Sequence, residues 1–147
     1  MNNPIATKKR TREIQEKYNA HTKKSFGQNF IVEPGVVDKI AKAACGGGHD
    51  VVVEIGPGIG ALTQYLCEYS DQVVAFEIDP RFPEVLNNEI GSDHLEVILQ
   101  DFLETDVDAL LEKFEKEGKK VRFASNLPYY ITTPILFKLF EAKRPIE

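Results

Sequence analysis

A glycine-rich turn that directly follows a β-branched run is the feature that most limits how this chain can fold. The run is Val51–Ile55, and the turn is Gly56-Pro-Gly-Ile-Gly60. An unbroken branched run is typical of a parallel strand that is buried on both faces. Glycines let the backbone approach a ligand closely, and the next helix would offer unpaired N–H groups. Alone, the pattern fits many nucleotide-binding folds, and it also fits a tight turn kept for packing.

Strand and helix patterns alternate along the rest of the chain. Further strands are predicted at Gln72–Glu77, Leu95–Leu99 and Val121–Ser125. Apolar residues at helical spacing predict helices that begin near Pro34, after Gly60, after Asp79-Pro80, at Val107 and at Thr133-Pro134. Such alternation indicates right-handed crossover units on a parallel sheet, an α/β Rossmann-like architecture. In such sheets ligands bind beyond the carboxyl ends of the strands, so the residues at those ends matter most.

The N-terminal segment differs from the rest in charge. Residues 1–24 hold seven basic and two acidic side chains, net +5, whereas the remainder holds eleven basic and 21 acidic, net −10. Few large apolar residues occur in 1–22, so this range is predicted to be a basic arm, mobile or a frayed helix, and 23–147 the main domain. Basic arms often contact nucleic-acid phosphates, although a solvated tail explains the charge equally well.

The helix predicted to begin at Pro34 comes directly before the first strand. Its apolar residues are expected to form one buried face, and Gly46-Gly47-Gly48 to end the helix. That face would comprise Val36, Val37, Ile40, Ala41 and Ala44.

Composition excludes several classes of protein. With 147 residues, 42% of them hydrophobic, the chain can build one buried core, which rules out wholesale disorder. It has no apolar run of the ~18–20 residues that a membrane span needs, and no signal peptide. Cys45 and Cys67 make no metal or disulfide motif, and His21, His49 and His94 have no ligand spacing. We therefore expect a cytoplasmic protein with no membrane partner and no metal.

The first strand end favours a particular cofactor. The spacing is G-x-G-x-G followed by Ala61, not G-x-G-x-x-G, and Glu54 stands two residues before Gly56. A carboxylate there would repel a pyrophosphate, but it could hold an ammonium group directly or through water. This points away from NAD and towards S-adenosylmethionine.

The next two strand ends also carry acidic residues. Glu77 lies 21 residues after Gly56, where a carboxylate can accept hydrogen bonds from two ribose hydroxyls. Asp101 follows the third strand and could accept from an adenine amino group, while the backbone N–H of Phe102 serves a ring nitrogen. Helix capping is an alternative role for Glu77, but Asp79 is expected to fill it.

The fourth strand leads into Asn126-Leu127-Pro128-Tyr129, the most specific motif in the chain. The Asn126 amide oxygen and a backbone carbonyl could accept both N–H bonds of an adenine amine, which would direct its lone pair at a methyl group. Pro128 would fix the local backbone, and Tyr129 would stack on the base. The alternative is ordinary turn chemistry, with the tyrosine packed in the core.

Taken in order and spacing, these motifs resemble those of the ribosomal RNA adenine N6,N6-dimethyltransferases. The loop Lys24-Ser-Phe-Gly-Gln-Asn-Phe-Ile31 resembles that family's entry loop, so the resemblance covers about residues 22–145. It implies a class I S-adenosylmethionine-dependent methyltransferase fold, with Gly58 lining the methionine moiety and Tyr129 stacking on the target base. The cofactor contacts that it implies are Asn29, Ile31, Gly56, Glu77, Asp101 and Asn126.

The resemblance also implies a substrate, which is ribosomal RNA in an immature small subunit, dimethylated on adjacent adenosines. The small-subunit branch is favoured over the large-subunit resistance branch by Glu54–Thr63 and Ser125–Tyr130. Family members have a seven-stranded catalytic domain and then a small helical domain. This chain ends after the fourth strand and its helix, so we expect it to be the N-terminal part of a longer, monomeric protein.

Two alternatives remain open at this point. Adenine methyltransferases of DNA and amide methyltransferases of proteins typically carry Asp/Asn-Pro-Pro-Tyr, so Leu127 argues against both. A module that binds cofactor or RNA without turnover is a further possibility for this length of chain.

Overall fold

Four parallel strands form the centre of the computed structural model, which describes residues 3–19, 33–45 and 50–125. They are β1 (Val51–Ile55), β2 (Gln72–Glu77), β3 (Leu95–Leu99) and β4 (Val121–Ser125), in the order β3-β2-β1-β4. The four predicted strands are confirmed at these bounds. All three pairs of adjacent strands are parallel, so every strand points the same way, as the alternating pattern predicted.

The register aligns the strand ends at one side of the sheet. Ile55 lies opposite both Phe76 and Ser125, and Glu77 lies opposite Leu99. The Ser125 hydroxyl donates to the Ile55 carbonyl at 3.1 Å, which ties the end of β4 to the end of β1. We call the side where the four strands end the carboxyl edge. It is where the sequence predicts the ligand site.

Within the described residues, five helices cover the two faces of the sheet. Those on one face share a hydrophobic core with Val52 and Val73, and the last helix packs on the other face against Val53 and Phe76. The first group comprises α1 (Lys8–Tyr18), α2 (Pro34–Cys45), α3 (Ala61–Tyr69) and α4 (Phe82–Ile90), and the last is α5 (Val107–Lys116). The helix predicted from Thr133 lies outside the described residues.

The N-terminal segment is packed into the body, not mobile. Ile5, Ala6 and Ile14 are fully buried in the core shared with α3 and α4. The Thr7 hydroxyl accepts from the Arg10 N–H and caps α1. The expectation of a mobile arm or a frayed helix is therefore wrong for residues 3–19. Whether residue 22 separates an arm from a domain stays a prediction.

Helix α2 buries a narrower face than predicted. Val37, Ala41 and Cys45 are buried at a spacing of four, whereas Val36 and Ile40 are exposed. Ala44, which is predicted for the same face, is partly buried against the core that the three buried residues join. The Tyr69 hydroxyl of α3 donates to Asp38, so a polar contact next to Val37 also joins the two helices.

The entry to α4 differs slightly from the predicted cap. The Asp79 carboxylate accepts from the Arg81 N–H at 3.0 Å, and the Asp79 carbonyl accepts from the Phe82 N–H at 3.2 Å. Asp79 thus supports the turn before the helix, while the N-cap position itself is Arg81. The helix predicted after Asp79-Pro80 is confirmed, and its apolar residues Phe82, Val85 and Leu86 are buried.

Candidate functional site

The glycine loop, Gly56–Gly60, leaves β1 at the carboxyl edge with a backbone that needs glycine. Gly56 and Gly58 have φ values of +73° and +59°, a left-handed region in which side chains are strained. The Gly56 N–H donates to the Phe76 carbonyl at 2.9 Å, and the Gly58 N–H donates to the Glu77 carboxylate at 3.0 Å. The loop is therefore bonded twice to the end of β2.

Glu77 is held in one orientation by three backbone donors. One oxygen accepts from Gly58, and the other accepts from the N–H groups of Ile78 at 2.9 Å and Asp79 at 3.0 Å. Burial raises the pKa of this carboxyl, and the three hydrogen bonds oppose that shift. A carboxylate offers about four lone-pair directions, so one remains for a further donor.

Asp101 and Phe102 follow β3 at the same edge. The exposed Asp101 carboxylate accepts from the Leu103 N–H at 2.9 Å and so begins a 3₁₀ turn, Phe102–Glu104. The Phe102 ring is buried edge-on against Phe76 and Phe123, at centroid distances of 5.4 and 5.9 Å. The Phe102 side chain therefore belongs to the core. The contact with an adenine ring nitrogen that the sequence predicts involves only the backbone N–H.

Glu54 is the fourth residue of β1, its side chain contacts α3, and it is only 1% exposed. The Thr63 hydroxyl of α3 donates to its carboxylate. Burial raises the pKa of Glu54 to about 8, and the nearby charge of Glu77 raises it further, against the effect of Thr63. A side chain in this state is mostly protonated at neutral pH. It would hold an ammonium group as an anion only after losing that proton.

Gly60, the last glycine of the loop, combines a left-handed backbone with close packing against α4. A Cβ there would lie 2.8 Å from both Leu86 Cδ2 and Ile90 Cδ1 of α4, and φ is +97°. The two roles that the sequence allows for the loop, approach to a ligand and packing, therefore fall on different glycines. Gly56 and Gly58 shape the carboxyl edge, whereas Gly60 lets α4 approach α3.

Three exposed apolar side chains at the carboxyl edge were not among the predicted site residues. Ile78, Leu99 and Leu103 are 56%, 54% and 41% exposed, and they neighbour Glu77 and Asp101 in the chain. The signal was present in the sequence, because an apolar residue directly follows the acidic end of β2. Such side chains could cover the faces of a flat aromatic group.

The remaining predicted site residues lie outside the described part of the chain. They are Asn29, Ile31, Asn126, Leu127, Pro128 and Tyr129. The predictions made for them stay predictions. The residue before Asn126 is Ser125, which ends β4 at the carboxyl edge.

Two further features are absent from residues 3–19, 33–45 and 50–125. None of their helices is both long and apolar enough to cross a membrane. Within those same ranges, no three His, Cys, Asp or Glu side chains are grouped so that they could hold a metal ion.

Comparison with known proteins shows close relatives. Residues 19–147 match the ribosomal RNA adenine dimethylase family. The chain is 47% identical over 146 residues to the ribosomal RNA small subunit methyltransferase A of Oceanobacillus iheyensis, covering 99% of this chain and 50% of that protein. Its identity to the protein of the same name from Bacillus mycoides is 46%, covering 97% and 49%. The chain thus spans about half the length of the curated relatives that it matches.

Solved structures agree with this result. The 23S rRNA methyltransferase ErmE aligns with a TM-score of 0.65 and 31% identity, over 78% of this chain and 44% of that one. A dimethyladenosine transferase from Plasmodium falciparum aligns with a TM-score of 0.62 and 30% identity, over 78% and 39%. The predicted Rossmann-like, class I methyltransferase fold is confirmed for the N-terminal half that the chain covers. This chain belongs to the ribosomal RNA adenine dimethylase family.

Proposed function

We propose that this chain is the cofactor-binding half of an enzyme that methylates N6 of adjacent adenosines in small-subunit ribosomal RNA. The observation that carries the proposal is the hydrogen bond between Glu77 and the Gly58 N–H, which joins the glycine loop to the end of β2. We call this part of the carboxyl edge the ligand-binding edge. S-adenosylmethionine, when bound, would supply a methyl group activated by a positively charged sulfur.

The residues at the carboxyl edge fit that cofactor. Glu77 has one acceptor direction left, which suits one ribose hydroxyl without rearrangement, or two if the bond to Gly58 lengthens. Asp101 and the Phe102 N–H would bind the polar edge of adenine, and Ile78 and Leu103 would cover its faces. The Gly58 N–H already donates to Glu77, so it would not bind the cofactor. Because glycine has no side chain, the methionine moiety could instead come close to the Gly58 backbone.

The chemistry is assigned to the residues that follow β4. Asn126 and a backbone carbonyl near Leu127 would accept the two N–H bonds of the target amine, while Pro128 fixes their geometry and Tyr129 stacks on the base. The target adenine would have to leave its stack to reach this motif. No metal has a role in this scheme, since positioning and amide contacts would suffice.

The choice of the small subunit rests on relatedness. Identity is 47% to a small-subunit methyltransferase and 31% to the 23S rRNA methyltransferase ErmE. A large-subunit adenine methyltransferase and a binding module without turnover are the alternatives. We further propose that the protein is monomeric and works in the cytoplasm, where its buried thiols, Cys45 and Cys67, would stay reduced.

Transfer of a tritiated methyl group tests the proposal. The chain, extended to the length of its relatives, is incubated with immature small subunits or with large-subunit RNA, and the labelled nucleotide is identified. We expect N6-methylated adenosine in small-subunit RNA. We expect a loss of ~10²–10³-fold in single-turnover rate for Asn126→Ala, as when one preorganised transition-state contact is removed.

Tyr129→Phe is the matched variant, because it keeps the ring face and should retain most of the rate. Label in large-subunit RNA alone would favour the resistance-type alternative. Cofactor binding without any transfer by the extended protein would favour the binding module.

A further inference from the structure

The basic residues of α1 fall into two groups that the sequence alone does not separate. Arg10 donates to one oxygen of Glu89 in α4 at 3.0 Å, and Lys17 donates to the other at 3.1 Å. The Tyr18 hydroxyl also donates to Glu89, whose side chain is only 9% exposed. The side chains of Arg10 and Lys17 therefore attach α1 to the body through Glu89.

The second group consists of Lys8, Lys9 and Arg12, whose side chains are exposed. None of the three forms an ion pair with any residue of the ranges that the structure describes. Lys8 and Arg12 are one helical turn apart, so they lie side by side, and Lys9 adjoins them. We call these three side chains the basic face of α1.

Helix stability does not explain the basic face. The first turn of α1 contains no acidic residue, and cations near a helix N-terminus oppose the helix dipole. Like charges one turn apart also repel each other. Glu13 and Glu16 lie one turn after Lys9 and Arg12, but neither forms an ion pair with them. Three clustered cations that have no ion-pair partner among the described residues indicate a partner molecule that supplies negative charge.

The rest of the molecule limits where such a partner could approach. Outside residues 1–24 the chain carries a net charge of −10, which repels a polyanion. The basic face is also fixed relative to the ligand-binding edge. The Ile5 N–H donates to Gln64 in the first turn of α3 at 2.8 Å, and the Ile5 side chain reaches to 3.6 Å from the Cβ position of Gly60. Lys8 follows three residues later, within about 11 Å along the chain.

We propose that Lys8, Lys9 and Arg12 form a rigid phosphate-contacting face for ribosomal RNA, beside the ligand-binding edge and attached to the body through Glu89. The inference rests on the proposed function, because it takes ribosomal RNA as the partner. The contact would be independent of base sequence, since lysine and arginine on phosphates read charge and position only. It would orient the RNA backbone relative to the glycine loop.

The test measures affinity for protein-free small-subunit ribosomal RNA against salt concentration, using the chain extended to the length of its relatives. The variant combines Lys8→Gln, Lys9→Gln and Arg12→Gln. Each lost phosphate contact should reduce the slope of log affinity against log salt by about 0.7–0.9, so the slope should fall by about 2–3. The control combines Lys113→Gln, Lys116→Gln and Lys120→Gln, exposed residues of which two lie on α5, on the other face of the sheet, and one directly precedes β4. It removes the same charge and should change the slope by less than about 1.

Equal slopes in the two variants would overturn the proposal, because only net charge would then matter. Weaker binding to immature subunits with unchanged binding to free RNA would also overturn it, and would point to a ribosomal protein as the partner. Cofactor affinity, measured by calorimetry, should be the same in both variants. Since the readout is RNA binding, a failure of the proposed methyl transfer would be seen separately.

Discussion

The carboxylate of Glu77 accepts a hydrogen bond from the backbone N–H of Gly58 at 3.0 Å, across a separation of 19 residues. The end of β2 and the glycine loop therefore form one unit, since neither can shift without lengthening this bond. Two positions that the sequence identifies as separate cofactor contacts are thus mechanically linked.

Replacing Glu77 should weaken S-adenosylmethionine binding without creating a site for NAD. Glu77→Ala removes an acceptor from a ribose hydroxyl, so we expect a loss of about 1–3 kcal/mol in calorimetry. Glu77→Gln should not be mild, because an amide NH₂ group would face one of the backbone donors that now bind the carboxylate. Tight NAD binding, or unchanged affinity in a folded Glu77→Ala protein, would contradict the cofactor assignment.

Glu54 should make the protein less stable as the pH rises. Its pKa is about 8 in the folded chain against an ordinary value of 4.5, so between these values the folded state holds a proton that the unfolded state has lost. The free energy of unfolding therefore falls with pH across this window. Glu54→Gln removes the titration and keeps an acceptor for Thr63, so it should stabilise at pH 8 and change little near pH 5. Urea unfolding at both pH values measures this, and a constant difference would refute it.

Glu89 should make the protein more stable as the pH rises from acidic values. Hydrogen bonds from Tyr18, Lys17 and Arg10 lower its pKa to about 2. The stability that they provide is complete above pH 4.5 and is lost as the pH falls towards 2. Glu89→Gln should cost about 1–3 kcal/mol in urea unfolding at pH 7 and much less at pH 3.

Glu112→Gln is the control for this prediction. Glu112 pairs with Lys116 across one turn of α5, an exposed ion pair of the kind worth about 0.3–0.5 kcal/mol. If both substitutions have the same small effect at pH 7, the contacts of Glu89 do not hold α1 in place.

Gly60→Ala should destabilise the fold more than Gly91→Ala. Both positions have positive φ, but a Cβ at Gly91 meets nothing within 4 Å, whereas at Gly60 it meets Leu86 and Ile90 at 2.8 Å. The left-handed backbone costs about 1–2 kcal/mol at either site, and overpacking adds about 1–3 kcal/mol at Gly60. Thermal or urea unfolding compares the two variants directly. Equal losses would mean that α4 can move away at little cost.

The sheet could be predicted because its strands are short, branched and bounded by turn residues. β1 and β2 are buried along almost their whole length, as their nearly continuous apolar runs indicate, whereas β3 and β4 are buried less but still carry branched or aromatic residues. The packing of the N-terminal segment could not be predicted, since it has few large apolar residues. The main buried ones are Ile5, before α1, and Ile14, within it. Their burial depends on partners far along the chain, which a local pattern does not contain.

Site residues could be predicted from the sequence where a side chain that can bind the cofactor stands at the end of a predicted strand. Acidic residues at strand ends identified Glu77 and Asp101, because parallel strands bring their ends to one edge. The glycines of the loop could not be separated by sequence, since a glycine needed for packing and one needed for close approach look identical. The same holds for Glu54, whose protonation depends on its burial against α3.

The attachment of α1 has a consequence for synthesis of the chain. Its hydrogen-bonding partners Gln64 and Glu89 lie 59 to 79 residues downstream of the groups that they bind. At ~5–20 residues per second, they are made at least roughly 3–16 s later. An isolated helix of 11 residues is only marginally stable, even with Thr7 and Asn19 capping its ends. Helix formation and docking of α1 should therefore be one late event on the ribosome, so this segment, although made before the sheet, should be among the last parts described here to fold.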